Sequence, residues 1–157
     1  MQETAVKPPP NDLYETDFYA WTQEQARLLR ERRWADLDLD NLVDEVESVG
    51  SSEKREIRRR MKVLLAHLLK WKLQPGHRGQ SWKRTISEQR THLAAIVEDS
   101  SSLRGYVLGE AIESHLGATL KASEETGLAI GLFPEQPVFT PEQVLDPEFF
   151  PEDRSVE

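Results

Sequence analysis

The feature that most constrains the fold is the stretch 51–90, which reads SSEKREIRRRMKVLLAHLLKWKLQPGHRGQSWKRTISEQR. Apolar residues recur every three or four positions on both sides of its centre, at Ile57, Met61, Leu64, Leu65, Leu68, Trp71, Trp82 and Ile86. This spacing places each set on one face of an α-helix. The sequence Gln-Pro-Gly at 74–76 interrupts the pattern, and the connection is short. The stretch therefore predicts two helices, 51–73 and 81–97, that pack as antiparallel neighbours.

Before this hairpin, the sequence predicts two further helices. The first begins at Asp12 or Thr16 and ends near residue 32, with Phe18 and Trp21 as core anchors. The second is acidic, is capped by Asp40 and ends at Gly50. We expect it to bury an apolar stripe of Leu42, Val43, Val46 and Val49.

After the hairpin, a fifth helix is predicted over 103–126, with Gly127 ending it. Thr140 and Gln143 form a capping box for one short helical turn. The tail beyond Phe133 is rich in Pro and Phe, and its aromatic residues should pin it to the bundle.

These elements predict an all-α fold, a single-domain bundle of about five helices with the Pro/Phe-rich C-terminal tail packed on it. The predicted organisation is a disordered or extended lead-in over 1–11, the helical bundle domain over 12–151 and a flexible tail over 152–157. A length of 157 residues fits one domain.

The composition bears on the compartment. The chain has no cysteine, which excludes disulfides and thiolate metal sites and fits a reducing compartment. The start lacks a basic segment followed by an apolar one, and no apolar stretch approaches the length that spans a bilayer. We therefore expect a cytoplasmic protein without a membrane partner.

Charge is unevenly distributed along the chain. Residues 54–90 contain 12 Lys and Arg against two Glu, a net charge of +10. The remaining 8 Lys and Arg face 26 Asp and Glu, a net charge of −18, and the two parts give the total of −8. Such asymmetry points to partners or to self-association rather than to a fold.

No familiar catalytic signature is present, so the sequence leans away from an enzyme. The low-priority catalytic candidates are His67, which can titrate near neutral pH, and Glu45 as an acid that orients it. Trp71 and Trp82 would form the walls of such a pocket. Because the four histidines lack the spacing of helical metal ligands, we predict no metal site and no cofactor.

Three functions stay open. The leading one is a small helical interaction or scaffold protein with an unknown protein partner or with itself. The second is nucleic-acid binding through the basic hairpin 54–90, and the third is an enzyme or a metal- or ligand-binding bundle centred on His67. The candidate binding residues are Trp71, Gln74, Arg78, Trp82, Gln89, Arg58, Arg59 and Lys62.

Several segments together resemble a bacterial protein family known as domain of unknown function 29. They are Leu13-Tyr14, Asp17 to Thr22, Glu45 to Gly50, Leu64 to Trp71, Ser81-Trp82, Thr85-Ile86, Gln89-Arg90, Ser101 to Leu103, Glu125 to Leu128, Phe133-Pro134 and Phe149 to Pro151. Ser101 departs from the family pattern, which has Pro there. The resemblance implies a small, mainly helical, single-domain protein without an established activity, and it assigns no catalytic residue.

Overall fold

The computed structural model describes residues 10–152, and within them every regular element is a helix. The α-helices are α1 (Pro10–Thr16), α2 (Phe18–Arg30), α3 (Leu39–Leu73), α4 (Gln80–Asp99), α5 (Arg104–Glu113), α6 (His115–Thr126) and α7 (Pro141–Leu145). The predicted all-α fold is confirmed. Residues 1–9 of the predicted lead-in and 153–157 of the predicted flexible tail lie outside the described residues, and α1 takes in the last two lead-in positions.

Contacts divide the chain into two compact units, Met1–Ser52 and Glu53–Glu157. The prediction of one domain over 12–151 stays a prediction. None of the helices within 10–152 combines the length and the apolar composition needed to cross a bilayer.

In the first unit, Asp17 separates α1 from α2, because its carboxylate accepts a hydrogen bond from the Ala20 amide at 3.0 Å and caps a new helix. The predicted first helix is therefore two helices. Trp21 is 2% exposed, and its indole donates to the Asp38 carboxylate at 2.9 Å. Trp21 is thus the core anchor that the sequence predicted. The same prediction for Phe18 is wrong, since Phe18 lies in the first turn of α2, stacks on the outer side of Trp21 and stays 49% exposed.

The predicted helix end at Gly50 is wrong. Helix α3 runs for 35 residues through Gly50, so the predicted second and third helices are one. A glycine permits a left-handed helix end but does not force one, and in the described chain only Gly127 among the glycines has a positive φ, at 73°.

The predicted burial of the valine stripe on the acidic helix is also wrong. Val43, Val46 and Val49 are all exposed, Val46 by 70%. In this unit α3 meets α1 through another face, where the Tyr14 hydroxyl donates to Glu45 at 2.5 Å. Nothing in the described residues covers the valines.

The second unit has a continuous core built from α3 to α7. The predicted stripe on α3 is confirmed, because Ile57, Met61, Leu64 and Leu68 are fully buried. They pack with side chains of the later elements, including Ile86, Leu93, Val107, Ala111, Ala118, Ala122 and Val144.

Three local features shape the rest of the second unit. The predicted fifth helix divides at Ser114 into α5 and α6, and the Ser114 hydroxyl donates to Glu110 at 2.6 Å. The predicted capping box of α7 is present, with Thr140 and Gln143 bonding each other's backbone amides. Phe133 and Phe139 of the tail are buried, as expected of residues that pin it.

A pair of glycine replacements tests the continuity of α3. Gly50→Ala should raise the free energy of unfolding by about 1 kcal/mol, because the site is helical and an added Cβ would meet no atom within 4 Å. Gly127→Ala should lower it by about 1 kcal/mol, since an L-residue is strained at positive φ. Urea unfolding measures both. Destabilisation by Gly50→Ala would show that the helix ends there.

Candidate functional site

The candidate site is the hairpin of α3 and α4, whose closing turn is held by Trp71 and Arg78. The Arg78 guanidinium carbon lies 5.2 Å from the centre of the Trp71 ring, and its Nε donates to the Trp71 carbonyl at 2.7 Å. Trp71 is buried and packs on Phe150 of the tail at 4.9 Å between ring centres. Gln74 is half-buried and precedes the short 3-10 turn Pro75–His77. These predicted binding residues therefore close one end of the hairpin.

His67 and Trp82, which the sequence analysis places in one candidate pocket, lie close together. The His67 ring meets the Trp82 ring edge-on at 6.4 Å, while His77 stacks on Trp82 at 6.5 Å. The Lys70 ammonium lies 5.8 Å from the Trp82 ring centre. The cluster is thus aromatic and cationic at once.

The surroundings of the His67 ring favour the neutral imidazole. Its Nδ1 lies 2.9 Å from the Val63 carbonyl oxygen, so Nδ1 carries the proton that is donated there. Burial lowers the pKa of His67, and the nearby Lys70 charge acts in the same direction. Both effects disfavour a positive charge on this ring.

Beside His67, the buried Lys70 forms an ion pair with Glu125, which is exposed. Burial by itself raises the pKa of Glu125, but hydrogen bonds from Lys70 and Lys121 outweigh it and lower that pKa. The second lysine lies 3.0 Å from the carboxylate. The pair joins α3 to α6 and satisfies a lysine that would otherwise be costly to bury.

Glu45 belongs to the first unit, where it accepts the Tyr14 hydrogen bond. That bond raises the pKa of Tyr14 to about 12. The role of Glu45 as an acid orienting His67 stays a prediction. Among residues 10–152, no group of three His, Asp or Glu side chains is arranged to hold a metal ion.

Gln89 occupies the inner side of α4 as a half-buried polar residue. Its side-chain oxygen accepts a hydrogen bond from Arg60 at 3.2 Å, and Arg60 also donates to Glu56 at 2.9 Å. Gln89 therefore links α4 to α3 through Arg60, which is a structural contact.

The other predicted binding residues, Arg58, Arg59 and Lys62, lie together on the outer side of α3. They belong to an exposed basic surface, defined here as Arg55, Arg58, Arg59, Lys62 and Lys121. They surround Val63 in a shallow groove of about 370 Å³. The four cations from α3 are exposed and make no ion pair with any residue that the structure describes. The groove thus presents uncompensated positive charge to solvent.

Two members of the basic surface were missed by the sequence reasoning. Arg55 lies one turn before Arg58 and Arg59 on α3, so helical spacing could have found it. Lys121 comes from α6, and only tertiary packing brings it to the groove. The close approach of α6 is visible at Gly117, where an added Cβ would lie 3.0 Å from Cε of Lys62.

A third missed residue is Arg90 of α4, which is 95% buried where α4 meets the C-terminal tail. Its Nε donates to the Val144 carbonyl at 2.8 Å, and Nη2 donates to Phe149 at 2.8 Å and Gln143 at 3.3 Å. Burial lowers the pKa of Arg90, while Asp146 acts in the other direction. Helical spacing could have predicted its burial, because Arg90 lies between Ile86 and Leu93 on the buried face of α4.

The family model described as "Domain of unknown function DUF29" matches residues 13–150. That range covers most of the 157 residues. The chain belongs to the DUF29 family. No curated protein and no solved structure matches it. The resemblance of the sequence fragments is therefore confirmed, while the DUF29 match assigns no activity and no functional residue.

Removal of the Arg90 guanidinium should loosen the tail of this DUF29 chain. Arg90→Met should lower the free energy of unfolding by about 3 kcal/mol, because the carbonyls it serves lose their donor. Urea unfolding measures the change. The matched control is Arg84→Met, which replaces an exposed arginine of α4 and should change stability by less than about 0.5 kcal/mol. Equal effects of the two would contradict the assigned role.

A pH titration of the His67 ring tests whether burial lowers its pKa. The ring should titrate below the ordinary 6.5, because the fold disfavours its cation. Below pH 6.5 the unfolded chain then binds this proton more readily than the folded chain does. His67 therefore makes the free energy of unfolding rise with pH between its folded-state pKa and 6.5, and it has no further effect at higher pH. Ring NMR signals, assigned with His67→Gln, report the midpoint. A titration midpoint at or above 6.5 would contradict the burial of the His67 ring.

Proposed function

We propose that this DUF29 chain is a helical interaction protein whose basic surface binds an acidic helix, and that the helix is the start of α3 in a second copy of the chain. The observation that carries the proposal is the set of exposed cations at Arg55, Arg58, Arg59 and Lys62 without ion-pair partners in the described chain. Charges that do not stabilise their own fold are available for a partner.

The first part of α3 offers the matching acids. Asp40, Asp44 and Glu47 are exposed, and none makes an ion pair with another described residue. Their spacing of four and then three residues places them on one face of the helix. This acidic segment is therefore a candidate ligand for a basic helix face.

The spacing of the cations supports an antiparallel arrangement. Read from the later residue to the earlier one, Lys62, Arg58 and Arg55 are also separated by four and then three positions. An acidic segment that runs antiparallel to a basic one can therefore pair Asp40 with Lys62, Asp44 with Arg58 and Glu47 with Arg55 of the other copy.

Each such pair is exposed and contributes at most about 1 kcal/mol, so several must act together. Apolar contact can add to them, because Val43 and Val46 lie exposed beside the acids. We infer a weak, salt-sensitive association. A bacterial, cytoplasmic setting belongs to the same proposal, and the lack of cysteine fits a reducing compartment.

The two other functions have less support. Nucleic-acid phosphates would suit the basic surface, but the chain as a whole carries a charge of −8. In an enzyme using His67, proton exchange would fall to Nε2, because Nδ1 donates to the Val63 carbonyl. No described carboxylate bonds to the ring to support such a role.

Charge reversal tests the association. At about 0.01 M ionic strength, where the Debye length is about 30 Å, sedimentation velocity should show the wild type self-associating, and about 1 M salt should dissociate it. Reversal of the acids in D44K/E47K should abolish association, and so should reversal of the cations in R55E/R58E. A mixture of the two variants should associate again, because each then supplies the complement that the other lacks.

The matched control is R30E/R84E, which changes the net charge as much as R55E/R58E does but at exposed arginines outside the basic surface. It should associate as the wild type does. A wild type that stays monomeric at low ionic strength, or a mixture that forms no heterodimer, would overturn the proposal. A monomer that binds RNA or DNA at about 50 mM salt, with binding lost in R55E/R58E and kept in D44K/E47K, would assign the surface to nucleic acid instead.

A further inference from the structure

A second concave region lies within the later unit, between α4, α5 and α7, away from the residues of the basic surface. It has a volume of about 520 Å³. Volumes of about 300–1,000 Å³ are typical of small-molecule pockets. Its walls are mainly apolar and are formed by Leu93, Val97, Val107, Leu108 and Leu145. The self-association proposed above does not use this cavity.

The polar groups of the cavity are few and mostly positive. The polar lining residues are Arg90, Arg104, Ser101 and Glu98, and Glu98 is the single acid among those that the structure describes. Arg104 and Glu98 are exposed, and no ion pair joins them. An apolar cavity with an excess of guanidinium groups matches a ligand that has an apolar body and one anionic end.

Arg90 gives an independent observation that points to a ligand. Its Nε and Nη2 donate to tail carbonyls, but its Nη1 is buried and has no hydrogen-bond partner among residues 10–152. An unpaired charged donor in a protein interior is costly, and native structures rarely keep one without a reason. A carboxylate accepts hydrogen bonds from guanidinium groups in a matching planar geometry.

We propose that this cavity binds a small amphipathic monocarboxylate, of the chemical class of a medium-chain fatty acid. The aliphatic chain lies against the leucine and valine walls, and the exposed guanidinium of Arg104 recognises the carboxylate. A small shift of the Arg90 side chain, which also lines the cavity, would bring its unpaired Nη1 to the same carboxylate. Arg90 also holds the tail, so the ligand stabilises the packing of α7 on α4.

Calorimetric titration of the full chain with decanoate and with decanol tests the proposal, because the two probes share an alkyl chain and differ in the charged end. Decanoate should bind at least about tenfold more tightly than decanol, the factor expected of a charge-assisted hydrogen bond. Arg104→Gln should remove most of this preference, because the charged donor that distinguishes a carboxylate from an alcohol is lost. The matched control Arg84→Gln, at an exposed arginine of α4 outside the cavity, should bind both probes as the wild type does.

A second variant tests the location without removing a core contact. Ala94 lies exposed at the cavity lining, so Ala94→Phe should narrow the cavity and weaken both probes while the unliganded protein keeps its melting temperature. Absence of decanoate binding, equal affinity for the two probes, or unchanged affinity in a folded Ala94→Phe variant would each overturn the proposal.

Discussion

The C-terminal segment of this DUF29 chain depends on one buried guanidinium. The last turn of α7 and the irregular backbone after it leave carbonyl groups that can accept further hydrogen bonds. Those of Gln143, Val144 and Phe149 accept hydrogen bonds from Arg90. A planar guanidinium offers five donors in a fixed arrangement, which a lysine cannot match. The bond to Phe149 places the adjacent Phe150 against Trp71, at the closing turn of the hairpin. Arg90 therefore connects the tail to the central helices and also forms part of the apolar cavity.

The cations of the hairpin divide into two kinds, and burial separates them. Lys70 and Arg90 are nearly buried and have partners within the fold, Glu125 and the tail carbonyls respectively. Arg55 and Arg58 are exposed and lack ion pairs in the described chain. Buried charges must be compensated because desolvation is costly, whereas exposed ones carry no such requirement. The exposed set is thus free to serve recognition, which is the basis of the proposed binding of an acidic helix.

Sequence patterns within one segment predicted most of the helices. They failed where packing against another element determines whether a helix continues or a side chain is buried. Periodicity located the buried stripe of α3, and the Thr140 capping box located α7, since both depend on spacing within one segment. Gly50 looked like a helix end, but glycine only permits that geometry. Val46 has the same periodicity as a buried residue, yet it is exposed because no described element packs on its face. Spacing identifies a face of a helix and says nothing about what covers it.

The sequence by itself determined the helical class, the Pro-Gly turn of the hairpin, the outward position of Arg58, Arg59 and Lys62, and the family to which the chain belongs. All but the last follow from local chemistry along one segment, whereas the family follows from segments spread over residues 13–150. The tertiary structure alone decided that Lys121 joins the basic surface, that Arg90 holds the tail and that a cavity lies beside it. Each of these depends on contacts between residues far apart in the chain, and such contacts are fixed by how whole helices pack rather than by the spacing within any of them.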